Sequence, residues 1–101
     1  MGTDHSTAIQ SVKELATLAG GHAFTMHQVG RVFGDAGIPD MCVVLRANGG
    51  RGPWAFAWVE IKVGRDQLRP AQIAFRAVMA LAGVRVIVGT AGDVADAFGY
   101  S

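Results

Sequence analysis

The sequence predicts an α/β fold: a mixed β-sheet flanked by helices, in the order helix, three strands, helix, strand, helix. Three observations lead to it. Residues 7–19 and 70–82 repeat apolar side chains at the spacing of one helix face. Shorter apolar runs rich in Val, Ile and aromatic residues fill the chain between and after them. "NGGRG", residues 48–52, has the Asn-Gly signal of a tight reversal, so the runs on either side pair antiparallel, while the last strand returns through a helix.

In "TAIQSVKELATLA", residues 7–19, the apolar stripe is Ile9, Val12, Leu15, Ala16 and Ala19, and the opposite face carries Gln10, Lys13, Glu14 and Thr17. Ser6 or Thr7 is the expected cap, Gly20-Gly21 the stop, and the polar start "MGTDHS" is expected to fray. "HAFTMHQV", residues 22–29, reads as a strand, followed by a Gly-rich loop from Gly30 to Pro39. "DMCVVLRA", residues 40–47, is the second strand. The third, "PWAFAWVEIKV" at 53–63, is apolar on both faces, the mark of a central strand covered on both sides. Its Trp54, Phe56 and Trp58 alternate with small Ala55 and Ala57 and are expected to pack against a helix or a second subunit. Pro70 suits the first position of the second helix and Gly83 its stop. "VRVIVG" then forms a buried strand and "AGDVADAF" a last short helix.

The 101 residues suffice for one small domain, taken as 1–101, and half of them are hydrophobic, so a leftover apolar face is expected to be buried by self-association. A net charge of +1 excludes nucleic-acid binding by bulk charge; any such contact must come from local clustering, for which seven of the nine basic residues being Arg is favourable. The lone Cys42 cannot form an internal disulfide, and nothing resembles a signal peptide or a membrane span, so a reducing, cytoplasmic setting is expected.

The chemistry is concentrated at one end of the central hairpin. Asp40 begins the second strand, and Glu60 and Lys62 end the third. In an antiparallel pair the start of one strand lies beside the end of the other, so these three charges converge at the edge of an apolar sheet. Two carboxylates at one place repel, and each costs several kcal/mol to bury unpaired. A divalent cation removes the conflict, and a few oxygen ligands with room for water suit Mg²⁺ or Mn²⁺. With a lysine beside it, the arrangement fits hydrolysis of a phosphodiester. Gln72 shares a buried helix face with Phe75 and Met79 and needs hydrogen-bond partners there. Arg65, Arg69 and Arg76 follow Lys62 where a phosphate backbone would pass, and Arg31 lies on the Gly-rich loop; all four are candidate phosphate contacts. His22 and His27 are too far apart for a compact metal motif and Cys42 has no CxxC partner, which leaves them structural, with His27 within reach of DNA. The glycines of "VGRVFGDAG" do not match a P-loop.

"GIPD" at 37–40, "VEIK" at 59–62, "AQIAF" at 71–75 and the final "VRVIVGTAGDVADA" together resemble the PD-(D/E)XK (restriction-endonuclease-like) nuclease superfamily, and within it the small stand-alone VRR-NUC domains of phages and bacteria. The resemblance implies a divalent-metal-dependent DNA endonuclease with Asp40 and Glu60 as metal ligands, the backbone carbonyl of Ile61 completing the set, Lys62 acting on the attacking water or the phosphate, and Gln72 supporting the site. It also implies Mg²⁺ or Mn²⁺ as cofactor, a homodimer, and branched DNA such as four-way (Holliday) junctions as substrate. The family's usual first-helix glutamate falls on Ser6 here, and Glu14, two turns on, is the candidate replacement. That departure motivates an alternative, a structure-specific DNA-binding subunit with weak or lost catalysis. A restriction-type enzyme is disfavoured because so short a chain has no target-recognition insertion.

Overall fold

A computed structural model describes residues 4–26 and 37–100. The first helix, α1 (His5–Leu18), begins earlier than its apolar stripe indicates. Asp4, rather than Ser6 or Thr7, is the cap: its carboxylate accepts the Thr7 N–H at 2.7 Å, satisfying one of the free donors of the first turn. Ala8, Val12 and Ala16, four residues apart, form the buried stripe.

Among the described residues, four strands form one sheet in the order β1-β2-β3-β4: β1 (His22–Thr25), β2 (Met41–Arg46), β3 (Trp54–Ile61) and β4 (Arg85–Gly89). The first three pair antiparallel and β4 joins β3 in parallel, which makes the sheet mixed. The β2–β3 reversal at 47–53 turns through Asn48 (φ 53°) and Gly49 (φ 64°), left-handed backbone for which Asn and Gly are the usual residues. A helix α2 (Pro70–Leu81) carries the chain from β3 to β4, and α3 (Ala91–Phe98) follows.

Alternation along the strands sorts the residues into two faces. Met41 pairs with Val59 and Val43 with Ala57; these, with Leu45 and Ile61, are buried against Ala8, Val12 and Ala16 of α1 and Val94 and Phe98 of α3. The other face carries Cys42, Val44 and Arg46 opposite Trp58, Phe56 and Trp54. Here α2 packs only at one end, where Phe75 meets Trp58 edge-on at 5.6 Å between ring centres. Trp54 remains 49% exposed and Phe56 42%, so β3 is central in the sheet but covered on both faces only over its second half. Periodicity marks both faces of a strand as apolar; it does not reveal how far a neighbouring helix reaches across them.

Gly37 shows why "GIPD" begins as it does. A Cβ at this position would collide with the main-chain carbonyl of Ala71, its oxygen well inside contact distance and its carbon at 2.8 Å. The absence of a side chain lets the segment leading to Asp40 lie directly against the start of α2. Gly37→Ala is therefore expected to destabilise the protein by about 1–3 kcal/mol, the usual cost of overpacking, read as a fall in melting temperature.

Candidate active site

Asp40 sits at the bend that opens β2, with its carbonyl accepting the Met26 N–H at 2.7 Å. Its carboxylate reaches across the hairpin: Oδ2 accepts the main-chain N–H of Ile61 at 3.0 Å. In return Glu60, twenty positions later, accepts the Asp40 N–H on Oε2 at 3.2 Å. The two acidic residues are thus fixed to each other's strands by reciprocal side-chain to backbone bonds, which the antiparallel register makes possible.

Glu60 is 4% exposed and lies on the face that α2 covers. Its Oε1 accepts the Gln72 side-chain N–H. Gln72, itself buried, has its amide oriented from the other end, because Oε1 accepts the Arg69 N–H at 2.8 Å in the first turn of α2. The polar residue on an otherwise apolar helix face therefore has both of its partners, one of them the strand carboxylate. Burial pushes the Glu60 carboxyl up from 4.5 to about 7; the charge of Asp40 pushes the same way and that of Lys62 opposes it. Burial and the neighbouring Asp40 charge thus both disfavour the ionised form of Glu60.

Lys62 lies one residue beyond β3, its N–H donating to the Gly89 carbonyl at 3.0 Å. It shares with Asp40, Glu60, Ile61, Arg69 and Gln72 the wall of an open cleft of about 290 Å³. Ile61 borders this cleft although its side chain is in the core. The structure brings together Asp40, Glu60, Ile61, Lys62, Gln72 and Arg69. Arg76 lies nearby against Gly37, Glu60 and Phe75, and Arg65 is exposed on the turn after Lys62. Arg31 and His27 lie outside the described residues.

Glu14 is not part of this constellation. It lines a separate surface hollow with Gln10, Lys13, Thr17 and Leu18. Nine residues of helix displace it by about 13 Å along the axis from His5, and it is the start of α1 that meets the site. Ser6 is exposed and does not border the cleft either. The residue that does is His5, whose Nε2 stands 3.4 Å from Asp40 Oδ2. Its sequence signal is the "DHST" cap, which starts the helix at His5 and turns that residue towards the sheet edge.

The donors at this cleft fit a hard divalent cation: two carboxylates at one place, one of them buried and short of positive charge. Among the described residues no three His, Cys, Asp and Glu side chains already surround a common point; both Glu60 oxygens are engaged by Gln72 and the Asp40 N–H.

Residues 23–92 match the VRR-NUC domain. The matched span runs from β1 into the start of α3 and contains every cleft residue named above except His5. Comparison with curated proteins and with solved structures yields no match.

Proposed function

The chain belongs to the VRR-NUC family, a nuclease domain of the PD-(D/E)XK superfamily that acts on DNA, and from that premise we propose that it is a divalent-cation-dependent endonuclease cutting branched DNA, four-way junctions foremost. The observation that carries the reading is the reciprocal bonding of Asp40 and Glu60 across the hairpin, with Lys62 on the same cleft. Asp40, Glu60 and the Ile61 carbonyl would hold Mg²⁺ or Mn²⁺. Held there, the ion would supply a water of lowered pKa and stabilise charge on a phosphoryl oxygen. Gln72 holds Glu60 at its place on the cleft wall. The Lys62 ammonium, on the same wall, orients the attacking water or neutralises the phosphate. Arg69, at the rim, and Arg65 and Arg76 beside it, meet the DNA backbone, with Arg31 as a further candidate. In this reading the arginines contact phosphate rather than base edges, so recognition is by shape.

The test is a labelled four-way junction incubated with the protein and Mg²⁺ or Mn²⁺, beside linear duplex of the same sequence. Cation-dependent cutting of the junction, lost in Glu60→Ala, is the expected result. Binding without cutting, unchanged by Glu60→Ala, rejects catalysis and leaves the DNA-binding subunit.

Assembly into a homodimer is part of this reading. Phe24, Trp54 and Phe56 leave an apolar patch on the open sheet face, and Ile73, Val78 and Leu81 extend exposed apolar surface along α2. A two-fold pair would bury such a face and offer two equivalent clefts to the two strands of a junction. Sedimentation equilibrium is expected to give twice the 10.6 kDa chain mass, and Phe56→Glu to shift the protein to the monomer. A wild-type monomer at high micromolar concentration excludes this assembly.

A further inference from the structure

We propose that His5 is a direct ligand of the catalytic cation, making the site a mixed oxygen and nitrogen set that favours Mn²⁺ over Mg²⁺. The inference rests on the cation site proposed above and concerns a residue outside the matched family span. Asp4 caps α1 through Thr7, which fixes His5 as the first helical residue and points its imidazole at the hairpin. Its Nε2 lies 3.4 Å from Asp40 Oδ2. Neighbouring ligands of an octahedral ion with bonds near 2.1 Å stand about 3 Å apart, so the two atoms need to approach little to share one ion. The same oxygen, Asp40 Oδ2, is held by the Ile61 N–H at 3.0 Å and stands beside the imidazole, so the strand fixes the atom that His5 faces. The helix start elsewhere offers nothing: Ser6 is exposed away from the cleft and Glu14 lies along the helix in another hollow.

An imidazole in place of a carboxylate changes what the cleft selects. It removes one negative charge from a site where Glu60 is already crowded by Asp40. It also substitutes a nitrogen donor, which first-row transition ions accept readily and Mg²⁺ accepts poorly. The site then discriminates by ligand type, with Mn²⁺ the ion common to both donor classes.

The experiment is pulsed electron paramagnetic resonance on untagged protein loaded with one equivalent of Mn²⁺, together with calorimetric titration of Mn²⁺ and Mg²⁺. Wild type is expected to show ¹⁴N modulation from a coordinated imidazole. His5→Ala loses the modulation and weakens Mn²⁺ binding at least about tenfold, the loss seen even when an outer partner of a ligand is removed. His5→Glu recovers binding without ¹⁴N modulation and moves the Mn²⁺/Mg²⁺ affinity ratio towards Mg²⁺. His22→Ala changes neither. Mn²⁺ bound at a site that Asp40→Asn abolishes, but with no ¹⁴N modulation and no effect of His5→Ala, overturns the role of His5 and leaves the cation site standing. Mn²⁺ binding that is absent, or indifferent to Asp40→Asn, removes the site itself and the inference with it.

Discussion

Asp40→Asn is expected to leave the fold intact and reduce junction cleavage by about a thousandfold or more. The amide oxygen of an asparagine continues to accept the Ile61 N–H that Asp40 Oδ2 accepts at 3.0 Å, so the hairpin keeps its cross-strand tie. What disappears is one of the two negative charges that would hold the proposed cation. A bound divalent ion contributes several kcal/mol of transition-state stabilisation, and about 4 kcal/mol corresponds to about three decades in rate. The melting temperature of the cation-free variant at neutral pH is expected to equal or exceed that of wild type, because removing the Asp40 charge relieves the repulsion on Glu60. Lys62→Ala serves as the companion. Lys62 is only partly buried and its side chain has no ion-pair partner among the described residues, so its removal spares stability while costing about 10²–10⁴ in rate if it handles the proton of the attacking water. Wild-type cleavage rates in a well-folded Asp40→Asn protein would place the chemistry elsewhere.

The second large effect is a dependence of stability on pH that reverses when the cation is added. Glu60 has a folded pKa of about 7 against 4.5 for the free side chain. Between these values the native state holds a proton that the unfolded chain has released, so stability falls as pH rises. The contribution is fully present below about 4.5, declines through the window and is gone above about 7. A shift of this size is worth on the order of 3 kcal/mol, or about 10 °C or more of melting temperature in a chain of this length. In chelator, thermal melts are expected to drop from pH 5 to pH 7.5, and Glu60→Gln to flatten the slope. With Mn²⁺ or Mg²⁺ present the trend is expected to invert, since an ion on the ionised carboxylates would stabilise the folded state most at higher pH. Identical pH profiles with and without the cation would mean that the ion does not sit at Glu60.

Much of this architecture is legible in the residues. "NGGRG" between two apolar runs specifies the β2–β3 hairpin, and the hairpin alone brings Asp40 to Glu60 and Ile61. Gln72 announces itself as a polar residue on the buried face of an apolar helix, and it is the buried residue of α2. What the residues conceal depends on distances between elements that are remote in the chain. Trp54 and Phe56 read as core because Val, Ala and aromatic residues surround them, but α2 reaches only to Trp58. The apolar stripe puts the start of α1 at Thr7, whereas the cap at Asp4 is set by a single side-chain to backbone bond that no periodicity reports. That shift matters for the site. The family's first-helix pattern points to Ser6 and Glu14, while His5, half-exposed at the first helical position, falls in the polar start "MGTDHS" that reads as frayed.

The mixed pairing of the sheet has a consequence for how the molecule comes together. β2 and β3 are joined by a short reversal, so their zipper closes a small loop at low entropic cost. β4 must wait for the whole of α2 to cross over before it pairs. The topology favours one order of assembly, in which Asp40 and Glu60 meet while the chain is still open and the amide of Gln72 arrives afterwards. A nascent chain is thus expected to pass through a stage in which the acidic pair has met before Gln72 closes over it.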